Sequence, residues 1–216
     1  MNEIVARRVA GVAGISTAAA FIVEVPLYFV YSGPPPDTNV LARLLIGILA
    51  IAFLIVFIVA FRELVKRTNP EHEWVGSMAF AFGLVYASIT LVSSGLEAGA
   101  VIASDRRVDP TISVSGTYIL YGSISRLMLA FFLASVWYAI SRTNLLPRWT
   151  GRSAGILAAV NLAFVPSLFF GNAPEHFYAA NGWGTTAMMG GLLSYWLLAL
   201  GIAMHRSAAS PNEPRT

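Results

Sequence analysis

Six runs of about twenty mainly apolar residues, each closed by prolines, glycines or charges, leave this chain few folds to choose from. A helix that crosses a bilayer needs about 20 such residues at a rise of about 1.5 Å each. The segments 8–31, 39–62, 75–103, 112–141, 153–171 and 184–205 supply them. Between them fall Gly33-Pro34-Pro35-Pro36-Asp37, Lys66-Arg67-Thr68-Asn69-Pro70, Asp105-Arg106-Arg107-Val108-Asp109-Pro110, Leu146-Pro147-Arg148-Trp149-Thr150-Gly151 and Gly171-Asn172-Ala173-Pro174. Proline lacks the amide hydrogen a helix needs and glycine loses the most entropy in one, so such clusters end helices. The first run follows Arg7 and Arg8 as a secretory leader would, but it continues through Glu24 and Pro26 to Tyr31. That is too long and too polar for a removable segment, and the run reads as a retained helix. The expected fold is all-α: a polytopic six-helix transmembrane bundle forming one domain over 1–206, with a disordered polar tail over 207–216.

Composition agrees with that reading. Of 216 residues, 56% are hydrophobic and 12% charged, about half the roughly 25% charge of soluble domains. Cysteine is absent, which excludes disulfides, thiolate metal sites and a cysteine nucleophile. The net charge of +3 does not indicate a nucleic-acid partner, because the basic residues fall between the apolar runs and form no stripe. They sort by side instead. Arg7, Arg8, Arg62, Lys66, Arg67, Arg142, Arg148, Arg152, Arg206 and Arg215 fall on one side, Arg106 and Arg107 on the other, with Arg43 just inside a helix. That bias predicts cytoplasmic termini in a cell (inner or plasma) membrane. Gly11, Gly14, Gly47, Gly122, Gly190 and Gly191 are candidates for close helix approach, since packing drives association in lipid. No internal repeat relates the halves, which weighs against an inverted-repeat transporter.

Charged side chains at bilayer depth cost about 2.5–3.5 kcal/mol each, so they mark candidate sites. Glu24, Glu97 and Arg126 lie inside the first, third and fourth segments, and Arg43 near the outer end of the second. Counting residues from the segment ends puts Glu24 and Glu97 at a similar depth, about 10 Å below the outer surface. Polar residues extend each site along a helical face: Tyr86, Thr90, Ser93, Ser94 and Glu97 in the third segment, and Thr17, Glu24, Tyr28 and Tyr31 in the first. In the fourth, Tyr118, Gly122, Ser125 and Arg126 share a stripe, with Tyr121 beside it. Faces of this kind are expected to point inward around one cavity. The bland alternative is that Glu24–Arg43 and Glu97–Arg126 ion pairs hold helices together, with hydroxyls as interhelical glue.

The remaining polar groups carry weaker signals. His72, His176 and His205 fall on different sides, and no metal or cofactor is expected. Asp105 and Asp109 read as part of a solvated loop, and Glu175-His176 as surface in preference to the lining of a mouth. Trp74, Trp137, Trp149 and Trp183 read as interfacial anchors. No phosphate-binding glycine loop, nucleophile elbow or HExxH motif occurs.

Two resemblances follow from these motifs. The opening Arg8-Val9-Ala10-Gly11 before a helix with a central Glu, and Leu146-Pro147-Arg148-Trp149-Thr150-Gly151 leading into Ala154-Gly155-Ile156-Leu157, resemble an uncharacterised group of small six-helix bacterial membrane proteins. That similarity implies fold and not chemistry. In size and intramembrane carboxylates the chain is also similar to the small integral-membrane terpene cyclases. The second resemblance implies an isoprenoid substrate.

Together these observations predict a membrane enzyme that starts cyclisation of a membrane-soluble isoprenoid by protonating it. Desolvation disfavours the charged form of a carboxyl, which suits Glu97 to act as acid beside neutral hydroxyls, with Glu24 as the arginine-paired or cation-stabilising carboxylate. Tyr28, Tyr86, Thr90, Tyr118, Tyr121, Arg43 and Arg126 are the expected substrate contacts, the aromatic ones stabilising carbocations. The expected partners are a lipophilic small molecule and membrane lipids, with homo-oligomerisation an option. The alternative from another class is a small proton- or ion-coupled transporter or solute-binding membrane protein, in which the carboxylates take up protons and an arginine holds an anion.

Overall fold

The computed structural model describes residues 2–143 and 145–209, and among them the chain is all-α without a β-strand. The elements are α1 (Glu3–Leu27), α2 (Asp37–Thr68), α3 (Glu73–Ile102), the short α4 (Pro110–Ser113), α5 (Thr117–Thr143), α6 (Arg148–Phe170) and α7. The last opens with the π-helical turn Gly184–Met188 and continues as α-helix Met189–Ala209. All except α4 are long and apolar enough to cross a membrane.

Local chemistry sets the ends. Asn2 caps α1 by accepting the Val5 amide at 2.8 Å, and the helix stops one residue after Pro26. The second helix runs past its expected end at 62 to Thr68, because Glu63, Lys66 and Arg67 are good helix formers and Arg67 pairs with Glu63 at 2.5 Å. Asn69 and Pro70 then make one 3₁₀ turn that leads into α3. The fifth segment begins earlier than expected, at Arg148 directly after Pro147, and tightens to 3₁₀ at Val165–Phe170, where Pro166 has no amide hydrogen to donate.

The fourth segment departs most from expectation. The run 112–141 is not one helix: α4 ends at Ser113, and α5 starts only after Gly116, whose φ of 86° is a left-handed conformation that side chains avoid. A π-helical turn, Leu120–Ile124, follows, in which Gly122 leaves helical geometry with ψ −113°. At the C-terminus, residues 207–209 continue α7. The rest of the expected tail, from residue 210, lies outside the described residues.

Around the bundle α1 packs between α2 and α7, α2 meets α3, α3 meets α5, and α5 meets α6, while α6 and α7 touch only lightly. Leu54, Phe57, Phe61, Phe132, Leu133 and Leu197 fill the centre, while Leu45, Val59, Val92 and Ile156 point outward, as lipid-facing residues would. Glycine permits the closest crossing. A Cβ on Gly11 would lie 2.9 Å from the His205 backbone nitrogen and 3.0 Å from the Gly201 carbonyl. Gly190 and Gly191, expected at a crossing, have nothing within 4 Å of where a Cβ would sit, so they make no such contact.

One basic residue expected to mark topology does more. Arg7 is 2% exposed. It donates to the Leu145 carbonyl at 2.8 Å, to Ser207 Oγ at 3.3 Å and to Glu3 Oε1 at 2.8 and 3.0 Å. It thereby ties α1, the α5–α6 connection and α7 together at one end of the bundle.

Candidate functional site

At the other end a cavity of about 380 Å³ opens among the helices. Glu24 reaches it from α1 and Glu97 from α3, so the two carboxyls, 73 positions apart in the chain by their numbers, share one hollow. The α3 face Thr90, Ser93, Ser94 and Glu97 lies along its wall, as do Tyr28, Tyr121 and Arg126.

Glu24 fits because α2 offers no side chain opposite it. A Cβ on Gly47 would stand 2.7 Å from Glu24 Oε1. The Tyr28 hydroxyl, one helical turn on, donates to the same oxygen at 3.4 Å. Glu97 is 3% exposed and has no hydrogen-bond donor among the described residues. The α3 hydroxyls are turned onto backbone: Thr90 donates to the Tyr86 carbonyl at 2.9 Å and Ser93 to the Thr117 carbonyl at 3.5 Å. Their oxygens keep free lone pairs.

Neither expected ion pair forms. Among the described residues, no cationic group comes within 4.0 Å of Glu24 or Glu97. Arg43 instead lies over the Tyr28 ring, 4.0 Å from its centroid, and 4.0 Å from Asp109 Oδ1. The ring and the loop carboxylate draw it behind the cavity wall, and it does not line the hollow. Arg126 does line it, and its Nη1 and Nη2 reach only neutral acceptors, Asn161 Oδ1 and the Tyr121 carbonyl, both at 3.4 Å.

Three expected tyrosines lie elsewhere. Tyr86 is buried in the core cluster, Tyr118 is outside the cavity wall, and Tyr31 is 47% exposed beyond the end of α1. The π turn and the non-helical Gly122 within it break the regular spacing between Tyr118 and Arg126, and it is Tyr121, five positions before Arg126, that shares the hollow with it. The second π turn, Gly184–Met188, borders the same cavity through Thr186.

Sequence reasoning missed a whole wall built from loops. Asp109, expected to be solvated, caps α4 through the Thr111 amide at 3.1 Å and lines the cavity together with Thr111. Asn181, 6% exposed, accepts the Tyr121 hydroxyl at 2.9 Å and donates to the Thr111 carbonyl at 3.0 Å. It thus joins α5, α4 and the α6–α7 loop. Trp183, expected as an anchor, lines the mouth, edge-on to Phe177 at 4.7 Å. That loop can approach α5 because a Cβ on Gly122 would meet the Ala180 carbonyl at 2.7 Å. The density of Asn, Gly and Thr over Asn181–Thr186 was the one available signal for a built loop.

The cavity therefore offers two carboxyls and one guanidinium that form no ion pair among the described residues, and aromatic side chains from Phe21, Tyr28, Phe29, Tyr121 and Trp183. Such a set can exchange protons with a guest, hold a charged group and cover an apolar body. Among the described residues no three metal-ligating side chains gather. Compared with protein-family models, curated proteins and solved structures, the chain matches none.

Proposed function

We propose that the chain is a multi-pass protein of a bacterial inner membrane, with cytoplasmic termini, that admits a membrane-soluble isoprenoid and starts its cyclisation by proton transfer from Glu97. One observation carries the reading: Glu97 and Glu24 face the same hollow of about 380 Å³, and neither has a cation within 4.0 Å. A nearby guanidinium would hold a carboxyl in its charged form and oppose donation. The volume lies in the lower part of the range for small-molecule sites, roughly 300–1,000 Å³. The proposed orientation is supported by the basic residues, most of which, unlike Arg43, Arg106 and Arg107, fall toward the end opposite the cavity.

The reaction balances without a co-reactant. The Glu97 O–H bond breaks as its proton adds to one carbon of an alkene, leaving a carboxylate and a carbocation. A second alkene of the same chain supplies the electron pair that closes the ring. Loss of a proton to Glu24 or back to Glu97 then restores a neutral product of the same mass. Phe21, Tyr28, Phe29, Tyr121 and Trp183 turn π electrons toward the charge as it moves.

Membranes containing the protein should convert a prenyl substrate to a product of unchanged mass and altered chromatographic retention. Glu97→Gln should lower that turnover by at least about 100-fold while the protein stays folded. Full turnover in the variant removes Glu97 as the acid.

Arg126 favours a second reading. A fixed cation in the wall repels a carbocation, whereas it suits a site that binds an anion and takes up protons on Glu24 and Glu97. Proton-coupled uptake into proteoliposomes, lost in Glu24→Gln and without any isomerised product, would select this transporter over the cyclase. Six spanning helices are few for a transporter, which makes a homodimer the expected transporting unit.

A further inference from the structure

Arg126 carries a positive charge inside the bundle that no ion pair among the described residues balances. Its side chain is 5% exposed, and among the described residues no carboxylate comes within 4.0 Å of it. Two of its nitrogens make hydrogen bonds at 3.4 Å, the long edge of the range, to neutral oxygens, and Nε has no acceptor. Isolated buried charge is costly, and proteins normally pair it. The other two buried arginines show how. Arg7 is tied to Glu3, Leu145 and Ser207; Arg43, whose Nε and Nη2 have no hydrogen-bond partner, still has the Tyr28 ring beneath it and the Asp109 carboxylate 4.0 Å away. Of the three, Arg126 alone lines the cavity.

We infer that Arg126 anchors the anionic head of the molecule that occupies this cavity, and that the head is a single carboxylate on an apolar body. The planar guanidinium fork matches a carboxylate. A dianion such as a phosphate monoester is disfavoured, because Arg126 is the one cationic side chain among the described residues that line the cavity and balances a single negative charge. Phe21, Val25, Phe29 and Leu44 cover the apolar body. The inference rests on the cavity being a small-molecule site, as proposed above, and not on what chemistry follows there. For the cyclisation reading it narrows the substrate to a prenyl chain that ends in a carboxylate.

The test is thermal unfolding of the intact protein in nanodiscs of zwitterionic lipid, with octanoate, octanamide or octyl phosphate as probe. Octanoate near saturation should raise the midpoint by about 5 °C, and octanamide, equal in length and shape but neutral, by less than half of that. Octyl phosphate should do no better than octanoate. Arg126→Met should abolish the octanoate shift, and Arg126→Lys, which keeps the charge but not the fork, should retain part of it. Equal shifts from octanoate and octanamide, or an octanoate shift that survives in Arg126→Met, overturn the anchor and leave the cavity a small-molecule site. A larger shift from octyl phosphate overturns the single-carboxylate head. No shift from any probe overturns the cavity reading and the anchor with it. The comparison of probes on the unmodified protein decides the matter even where a variant does not fold.

Discussion

The two ends of this bundle handle buried arginine in opposite ways. At the closed end Arg7 reaches a carboxylate, a carbonyl and a hydroxyl on three separate stretches of chain. Beside it Gly11 and Gly201 bring α1 and α7 into backbone contact. At the open end Arg126 has two long bonds to neutral oxygens, and the helices around it part to leave a hollow. Burial is thus a poor guide to role. What separates the two residues is how far their donors are satisfied among the described residues, which makes Arg7 a fastening and Arg126 the candidate anchor proposed above.

If that contrast is right, the closed end should tolerate change least. Gly11→Leu drives a side chain into the α7 backbone, where the nearest atoms stand at 2.9 and 3.0 Å and cannot swing aside. It should cost about 3 kcal/mol or more, seen as a lowered unfolding midpoint and poor recovery of folded protein in detergent. Wild-type stability in this variant would mean that α1 and α7 do not cross as described.

The arginines themselves give the next largest effect. Arg7→Met removes charge-assisted hydrogen bonds and leaves the Leu145 carbonyl without its donor, which should cost roughly 2–3 kcal/mol. Arg126→Met replaces a charge without an anionic partner by an apolar group and should change stability by less than about 1 kcal/mol, in either direction. Unfolding of both variants in the same nanodiscs measures the difference. Equal losses would erase the distinction between the two ends.

How much of this could be read from the sequence differs between the same two regions. The six spanning runs were legible because a fixed bilayer thickness demands a fixed length of apolar helix, and Pro26, Pro70 and Pro147 punctuate it. The α3 face from Thr90 to Glu97 was legible because that helix is regular, and helical spacing then maps sequence onto direction. The same arithmetic failed for Tyr118, since a π turn adds a residue that no periodicity announces. It failed for Gly190, read as a packing residue and found facing open space. Asp109 and Asn181 escaped because loop residues are positioned by long-range hydrogen bonds, and the Asn181–Tyr121 bond joins residues 60 positions apart. Arg7 looked like a topology marker, since its partners at Leu145 and Ser207 lie far along the chain.

Glycine sharpens the comparison with the smallest expected effect. Gly11 and Gly190 both sit within helices, and intrinsic propensity alone says that alanine should stabilise either by about 0.5–1 kcal/mol. Surroundings decide otherwise at Gly11, where even one methyl meets backbone atoms at 2.9 Å, while at Gly190 it meets nothing within 4 Å. Gly190→Ala should therefore leave the unfolding midpoint unchanged or slightly raised, and Gly11→Ala should lower it. Because Gly190 lines the cavity, its added methyl also takes room from a guest. Gly190→Leu should keep the fold and reduce the octanoate shift, by filling part of the hollow while Arg126 itself is unchanged. A fall in stability for Gly190→Ala comparable to that of Gly11→Ala would show that α1 and α7 close together at this level, leaving no space for a bound molecule.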